Sequence, residues 1–363
     1  MLLHLLMVDI IQPNKARKEK VAMLISTIYG ANICVDPGTV NTSIFVNKKG
    51  VVLFQPSLIA LKSNGSVLAI GDEVKKMIGR TPENVKIYKP IQNGVVVNFD
   101  LAKTMLKHFF SKVFRLRTPL AKRVVVPLST GVTDIEKRAL HEAIRQAGLK
   151  NVFFIEAPIA DALGANIPID EETGRMIVNV GGGTTEIAVL SFGGIVTSCC
   201  VHLGGEYMNQ AIVKHIKRNH GMAIGERTAE EIKIKIGSAS RIPLEYMDIR
   251  GKDIISGLPR SCTVSSQEIQ EALAEAVEVI IKNIKDTLER TPLELALDIM
   301  RTGITLTGGG SLLKGLRKAV SEATGIPVQL AGNPLEGNVL GAGKIVIDHN
   351  LWKNLSVVAQ EAR

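Results

Sequence analysis

MIVNVGGGTTEIAVL, residues 176–190, reads as an apolar strand (Met176, Ile177, Val178), three glycines backed by two threonines, and a second apolar strand from Ile187 to Leu190. Three consecutive glycines are costly to order, so they mark a tight bend or a close approach of backbone to a ligand. Backbone N–H groups at such a turn, beside the hydroxyls of Thr184 and Thr185, can cradle a phosphate. Taken alone, the stretch fits a plain glycine-rich hairpin equally well.

The pattern occurs twice more. Residues 32–45, NICVDPGTVNTSIF, are again a short apolar strand, a polar Gly/Thr turn and a return strand. Residues 303–313, GITLTGGGSLL, are a strand and three glycines, followed by an expected serine-initiated helix whose N-terminus would favour anions. Asp36 and Asn179 hold the same place in their turns, 179 − 36 = 143 positions apart. That spacing predicts a duplicated domain with two phosphate loops facing each other across a cleft.

A chain of 363 residues is long enough for two domains with full cores. Its 45% hydrophobic and 22% charged residues belong to a globular protein. Cys34, Cys199, Cys200 and Cys262 lack metal-site spacing, which fits a reduced, cytoplasmic setting. The net charge of +9 asks for an anionic partner, while 4% aromatic content speaks against nucleic acid bound by stacking. Basic residues cluster at Lys15 to Lys20, around Lys112 to Arg123, and at Lys214, Lys217 and Arg218, the last of these reading as a solvated helix face. No segment reaches the roughly 20 apolar residues that span a bilayer. The N-terminal MLLHLLMVDII makes a poor signal peptide. It reads either as an interfacial helix on an anionic membrane or as sequence upstream of a true start at Met23.

Along the chain, strands are expected near Ile33, at Ile44–Val46, Val51–Phe54 and Leu58–Leu61, and helices at 72–78, 101–114 and 133–147, with Thr133 and Glu136 as a capping box. Further helices are expected at 157–166, 207–219, 228–236, 266–289 and 292–300, and a small sheet over 241–264. Strands alternating with helices, with hairpins after each phosphate loop, give an α/β protein with mixed sheets.

The three turns together resemble the actin/Hsp70/sugar-kinase superfamily. VDPGTVNT (35–42), GRTPENV (79–85), MLKHF (105–109), NVGGGTTEIAVLS (179–191), IGERTAEEIK (224–233), SGLPR (256–260), LERTPLELALDI (288–299) and LTGGGSLLKGL (306–316) narrow the resemblance to MreB-like bacterial actins, over about residues 29–348. The resemblance implies an actin-like fold of two RNase H-like large subdomains, each with a small one, around a nucleotide cleft. On that plan 1–28 is an extension; 29–59, 92–170 and 337–363 form subdomain IA, 60–91 IB, 171–207 and 264–336 IIA, and 208–263 IIB. It further implies ATP and Mg²⁺ as cofactors, with phosphate loops at Gly38, Thr39, Val40, Asn41 and at Gly181, Gly182, Gly183, Thr184. Glu230, Glu231 and Lys233 would border the nucleoside, and Gly308, Gly309, Gly310 and Ser311 would form a third binding segment. Asp36 would anchor Mg²⁺ through water.

Departures from the family pattern bear on chemistry. Where MreB proteins carry Glu-Glu-Pro, this chain has Glu156-Ala157-Pro158, so the carboxylate that orients the attacking water is absent. The metal-side aspartate is Asn179; two more family aspartates read Asn93 and Asn98, and Pro37 replaces a leucine. Phosphoryl transfer to water depends on a positioned nucleophile and metal-neutralised charge. ATP binding with slow or absent hydrolysis is therefore expected, with Glu156 a weak catalytic candidate and Glu156, Glu186 or Asp161 as possible replacements for the lost acids. The resemblance also implies self-association into filaments, a place on the inner face of the cell membrane, and cell-wall elongation machinery as partner. Phe114 and Leu116, flanked by arginines, are the expected membrane contacts, with Phe109 or Phe110 in the core. A small-molecule kinase or a chaperone-type ATPase of the same superfamily is the alternative.

Overall fold

The computed structural model describes residues 32–114 and 123–356. The first lobe opens with an antiparallel meander of β1 (Asn32–Pro37), β2 (Asn41–Val46) and β3 (Gly50–Pro56). Ile33, Cys34 and Val35 are consecutive and all fully buried, as befits a central strand covered on both faces. Next come β4 (Ile59–Lys62), β5 (Val67–Ile70), α1 (Asp72–Met77) and β6 (Val85–Tyr88), whose strands form a small sheet in the order β5-β4-β6. A two-stranded ribbon, β7 (Ile91–Gln92) and β8 (Val95–Val96), leads to α2 (Phe99–Phe114). Asn98 Oδ1 accepts from the Leu101 N–H at 3.1 Å, a capping role that asparagine fills as well as the family's aspartate would. Then follow β9 (Arg123–Leu128), α3 (Asp134–Ala147), β10 (Val152–Glu156) and α4 (Ala157–Gly164). The expected capping box of Thr133 and Glu136 is present at the start of α3.

The second lobe repeats the plan. β11 (Arg175–Val180), β12 (Thr185–Ser191) and β13 (Gly194–Val201) form the meander. α5 (Gly205–His220), β14 (Met222–Ala223), α6 (Glu226–Ile236), β15 (Tyr246–Asp253) and β16 (Pro259–Ser265) build the small subdomain. α7 (Ser266–Glu289) and α8 (Leu293–Thr302) return the chain to β17 (Ile304–Thr307), a 3₁₀ turn at Gly309–Leu312, α9 (Leu316–Thr324) and β18 (Val328–Leu330). The two large sheets run β10-β9-β1-β2-β3 and β18-β17-β11-β12-β13, the same topology. Asp36 and Asn179 pair with Ser43 and Glu186 at matching places in β1 and β11, so the duplication inferred from their spacing is present in the fold.

The third glycine turn differs from expectation. No hairpin follows it, since β17 pairs in parallel with β18. Nor does Ser311 start an α-helix: its hydroxyl donates back to the Gly308 carbonyl at 2.6 Å within the 3₁₀ turn, and α9 begins five residues later. Two glycines resist helix, and a serine hydroxyl that bonds inside the turn no longer caps one.

The chain closes with α10 (Gly337–Ile347) and α11 (His349–Ser356). α10 packs with α4 in a cluster fed by both large sheets, Cys34 and Val125 from one and Ile177 and Ala188 from the other. That layer ties the lobes together beneath the cleft. Both Phe109 and Phe110 lie in the first-lobe core, at 0% and 2% exposure. Phe109→Ala should therefore lower unfolding free energy by about 3–5 kcal/mol, read from urea denaturation; a loss below 1 kcal/mol would place this ring outside the core.

Candidate nucleotide-binding cleft

The three glycine turns converge on one cleft between the lobes. Thr39, Val40, Asn41 and Gly182 line both its inner and outer compartments. The turns approach so closely that side chains are excluded at two points. A Cβ on Gly182 would overlap the Val40 side chain, and one on Gly308, at φ +81°, would overlap Asn179 Oδ1 and the Val180 carbonyl. The carbonyls of Gly181 and Gly182 accept from the N–H groups of Gly205 and Glu206, at 2.9 and 2.8 Å, which fixes the second turn to the start of α5.

The inner compartment, about 170 Å³, is walled by Asp36, Asp161 and Glu186 as well as by the first two turns. Burial raises the Asp36 carboxyl to about 7. Burial also raises Asp161 well above the usual carboxylate range, a hydrogen bond from Asn179 opposing it and the charges of Glu186 and Asp36 adding to it. Glu186 is raised by burial too, although Thr130 N–H, Thr130 Oγ1 and Ser129 Oγ donate to it. Asn179 Nδ2 donates to Asp161 Oδ2 at 2.6 Å. Asp161 Oδ1, Asn179 Oδ1 and Asn338 Oδ1 are buried without a partner, and all three residues line this compartment. Acceptors that face one another without donors fit a cation. Among the described residues no three His, Cys, Asp or Glu side chains enclose a metal on their own. The donor set therefore suits Mg²⁺, which keeps its waters and uses one or two carboxylates together with phosphates.

The outer compartment, about 390 Å³, is lined by Gly309, Gly310, Glu230 and Lys233, together with Ile234, Leu312 and Leu313. Its size and apolar–polar mixture suit a nucleoside. Lys233 Nζ donates to the Gly205 carbonyl at 2.8 Å, and burial lowers its pKa to about 8. Glu231 does not itself line this compartment; it pairs at 3.2 Å with Arg227, which does. Ser311 is buried inside its turn, and Leu312 and Leu313 line the cavity in its stead.

Sequence spacing missed the bridges across the mouth. Lys89 Nζ lies 2.8 Å from Glu206 and 3.1 Å from Glu226, and Lys75 lies 3.4 Å from Glu230, each joining the two small subdomains. Burial pulls the Lys89 pKa down, but the Glu206 hydrogen bond and the two glutamate charges outweigh it and leave it raised. Partners 117 positions apart leave no signal in local pattern.

Ala157 lines the inner compartment, whereas Glu156 does not, although its charge adds to burial in the upward shift of Glu186. Asn93, in the left-handed region at φ 51°, brings its Oδ1 close to Gly183. Phe114 is half-buried against the first-lobe core, and Leu116 lies outside the described residues.

The family model described as MreB/Mbl protein matches residues 30–354. The chain is 42% identical to the cell shape-determining protein Mbl of Bacillus subtilis (strain 168), over 89% of this chain and 97% of that protein. It is 42% identical to the cell shape-determining protein MreB of Escherichia coli (strain K12), over 87% of this chain and 93% of that one. Crystal structures of MreB5 of Spiroplasma citri bound to ADP and to AMPPNP superpose with a TM-score of 0.85 at 34% identity, the first covering 90% of this chain and 99% of that one.

The raised Asp36 pKa has a sign that can be checked. Unfolded, the group ionises near 3.8; folded, near about 7, so the folded state favours the protonated acid. Its contribution is complete below about pH 4 and is lost as pH rises through about 7, up to about 4 kcal/mol in all. In nucleotide-free protein, urea denaturation at rising pH between 5 and 8 should show falling stability, and Asp36→Asn should flatten that slope. Equal slopes in the two proteins would contradict the assignment.

Proposed function

Because this chain belongs to the MreB/Mbl family of actin-like, cell shape-determining proteins, we propose that it binds ATP with Mg²⁺ between its lobes and polymerises into filaments that direct cell shape. The observation that carries this reading is the convergence of three glycine turns, two from duplicated halves, on one cleft. The outer compartment would take the nucleoside against Glu230 and Lys233, and the inner one the phosphates against the turns at Gly38–Asn41 and Gly181–Thr184. Mg²⁺, when bound, would neutralise phosphate charge beside Asp36. The ADP and AMPPNP bound to MreB5 support nucleotide binding.

Hydrolysis is proposed to be weak. Ala157 faces the inner compartment where the family's water-orienting glutamate stands, and a methyl group cannot accept a proton or fix a water. Glu156 does not line that compartment. Carboxylates in that role are worth about 10²–10⁴ in rate. Purified protein with ATP should form filaments under electron microscopy while releasing phosphate slowly, and Ala157→Glu should raise release at least tenfold. Phosphate release already at an ordinary MreB rate and indifferent to Ala157→Glu would contradict weak hydrolysis. Protein that neither binds ATP nor assembles would remove the whole reading.

The filament is further proposed to lie on the inner face of the cell membrane and to guide cell-wall synthesis. Support comes from the net positive charge and from Phe114 at the end of α2, followed in sequence by arginines and Leu116. Phe109 and Phe110 are committed to the core and do not serve. Replacing Phe114 and Leu116 together by serine, in a chain begun at Met23, should at least halve co-sedimentation with anionic liposomes. Unchanged co-sedimentation would remove this contact.

A further inference from the structure

We propose that Asp161 replaces the aspartate missing at position 179 and serves, beside Asp36, as the second acidic anchor for the divalent cation that accompanies the nucleotide. The inference rests on nucleotide binding as proposed above. Asp161 sits on α4, a helix buried along its length, and is itself 1% exposed. A carboxylate is not placed there for folding alone, since an apolar residue would fill the same site without desolvation cost. One oxygen, Oδ2, takes the Asn179 amide at 2.6 Å; the other, Oδ1, has no donor among the described residues, and the residue lines the inner compartment.

The two positions constrain each other. With aspartate at 179, two carboxylates would face at hydrogen-bond distance without a proton or cation between them. With asparagine there, the amide Nδ2 satisfies one Asp161 oxygen, and its own Oδ1 remains an acceptor toward the same space. Between these two positions the exchange keeps one carboxyl group and shifts it from the end of β11 to α4. Glu186 is a poorer candidate. Its Oε1 already takes Thr130 N–H and Thr130 Oγ1, at 2.6 and 2.8 Å.

The test compares metal dependence, with the full chain and a fluorescent ATP analogue titrated in Mg²⁺ and in EDTA. Wild type should bind more tightly with Mg²⁺. Asp161→Asn, which retains an acceptor for the Asn179 amide, should keep its affinity in EDTA and lose about tenfold or more of the Mg²⁺ enhancement. The double exchange, Asp161→Asn with Asn179→Asp, should recover that enhancement. An Asp161→Asn protein with undiminished enhancement, or a double exchange that recovers nothing, would overturn the proposal while nucleotide binding stands. Wild type that binds the analogue in neither buffer would overturn both. Should Asp161→Asn fail to fold, Asn179→Asp gives a separate measure. Its melting temperature in EDTA should fall below that of wild type and be raised further than wild type by Mg²⁺ with ADP; a melt indifferent to Mg²⁺ would also overturn the proposal.

Discussion

The contact on which the cleft depends is the close approach of glycine backbone to the neighbouring turns and strand ends. The turn after β11 touches the turn after β1 at Gly182 and Val40, and the turn after β17 touches β11 at Gly308 and Asn179. A Cβ at Gly182 would strike the Val40 side chain, so the facing edges of the lobes are brought together by van der Waals contact, with the α4–α10 layer behind them. Glycine loses more conformational freedom on folding than other residues, and a chain that orders three such turns does so at a cost. That cost is offset by two well-filled cores, one in each lobe, whose strands end at the turns.

Such contact also concentrates acid. Asp36 from one half and Asn179 from the other stand at equivalent strand ends, and the duplication would place an acid at each. The chain keeps the first, gives up the second, and brings Asp161 in from α4. Charge in so small a compartment is a joint property of its walls, so a substitution at one wall is read correctly only with its neighbour. Ala157 is different in kind. At position 157 the inner compartment is lined by a methyl group, and Oε1 of Glu186, which lines it too, is taken by Thr130. On the proposals above, the metal side has a substitute acid, and position 157 has none of its own.

The duplicated architecture was legible from three glycine turns and one spacing, because strand ends and phosphate-type turns are local patterns. The capping box at Thr133 and the span of α7 were equally local, and both hold. What the sequence hid depends on distance or on helical phase. Glu231 shares its motif with Glu230 but reaches the outer compartment only through its partner Arg227. Ser311 resembles a helix cap, yet its hydroxyl bonds inside a 3₁₀ turn. The lysine bridges at Lys75 and Lys89 join segments more than a hundred positions apart, and Asp161 gains its meaning only from Asn179 beside it.

Those bridges settle how firmly the cleft is held. Lys89 and its glutamates are partly exposed, at 28%, 25% and 56%, and Lys75 with Glu230 at 48% and 30%. Pairs of this exposure contribute about 0–1 kcal/mol each and weaken with salt. A nucleotide bound at about micromolar affinity contributes roughly 8 kcal/mol, and on the proposed placement it contacts Glu230 and Lys233 at the same mouth. Only the part of that free energy that differs between an open and a closed cleft would set the angle between the lobes, and bridges this weak would oppose it little. In an actin-like fold that angle is the shape each subunit offers to the next. If hydrolysis is as weak as proposed, with Ala157 in the inner compartment and Asp161 beside Asp36, the chain would hold its nucleotide-bound shape for longer than it cycles out of it.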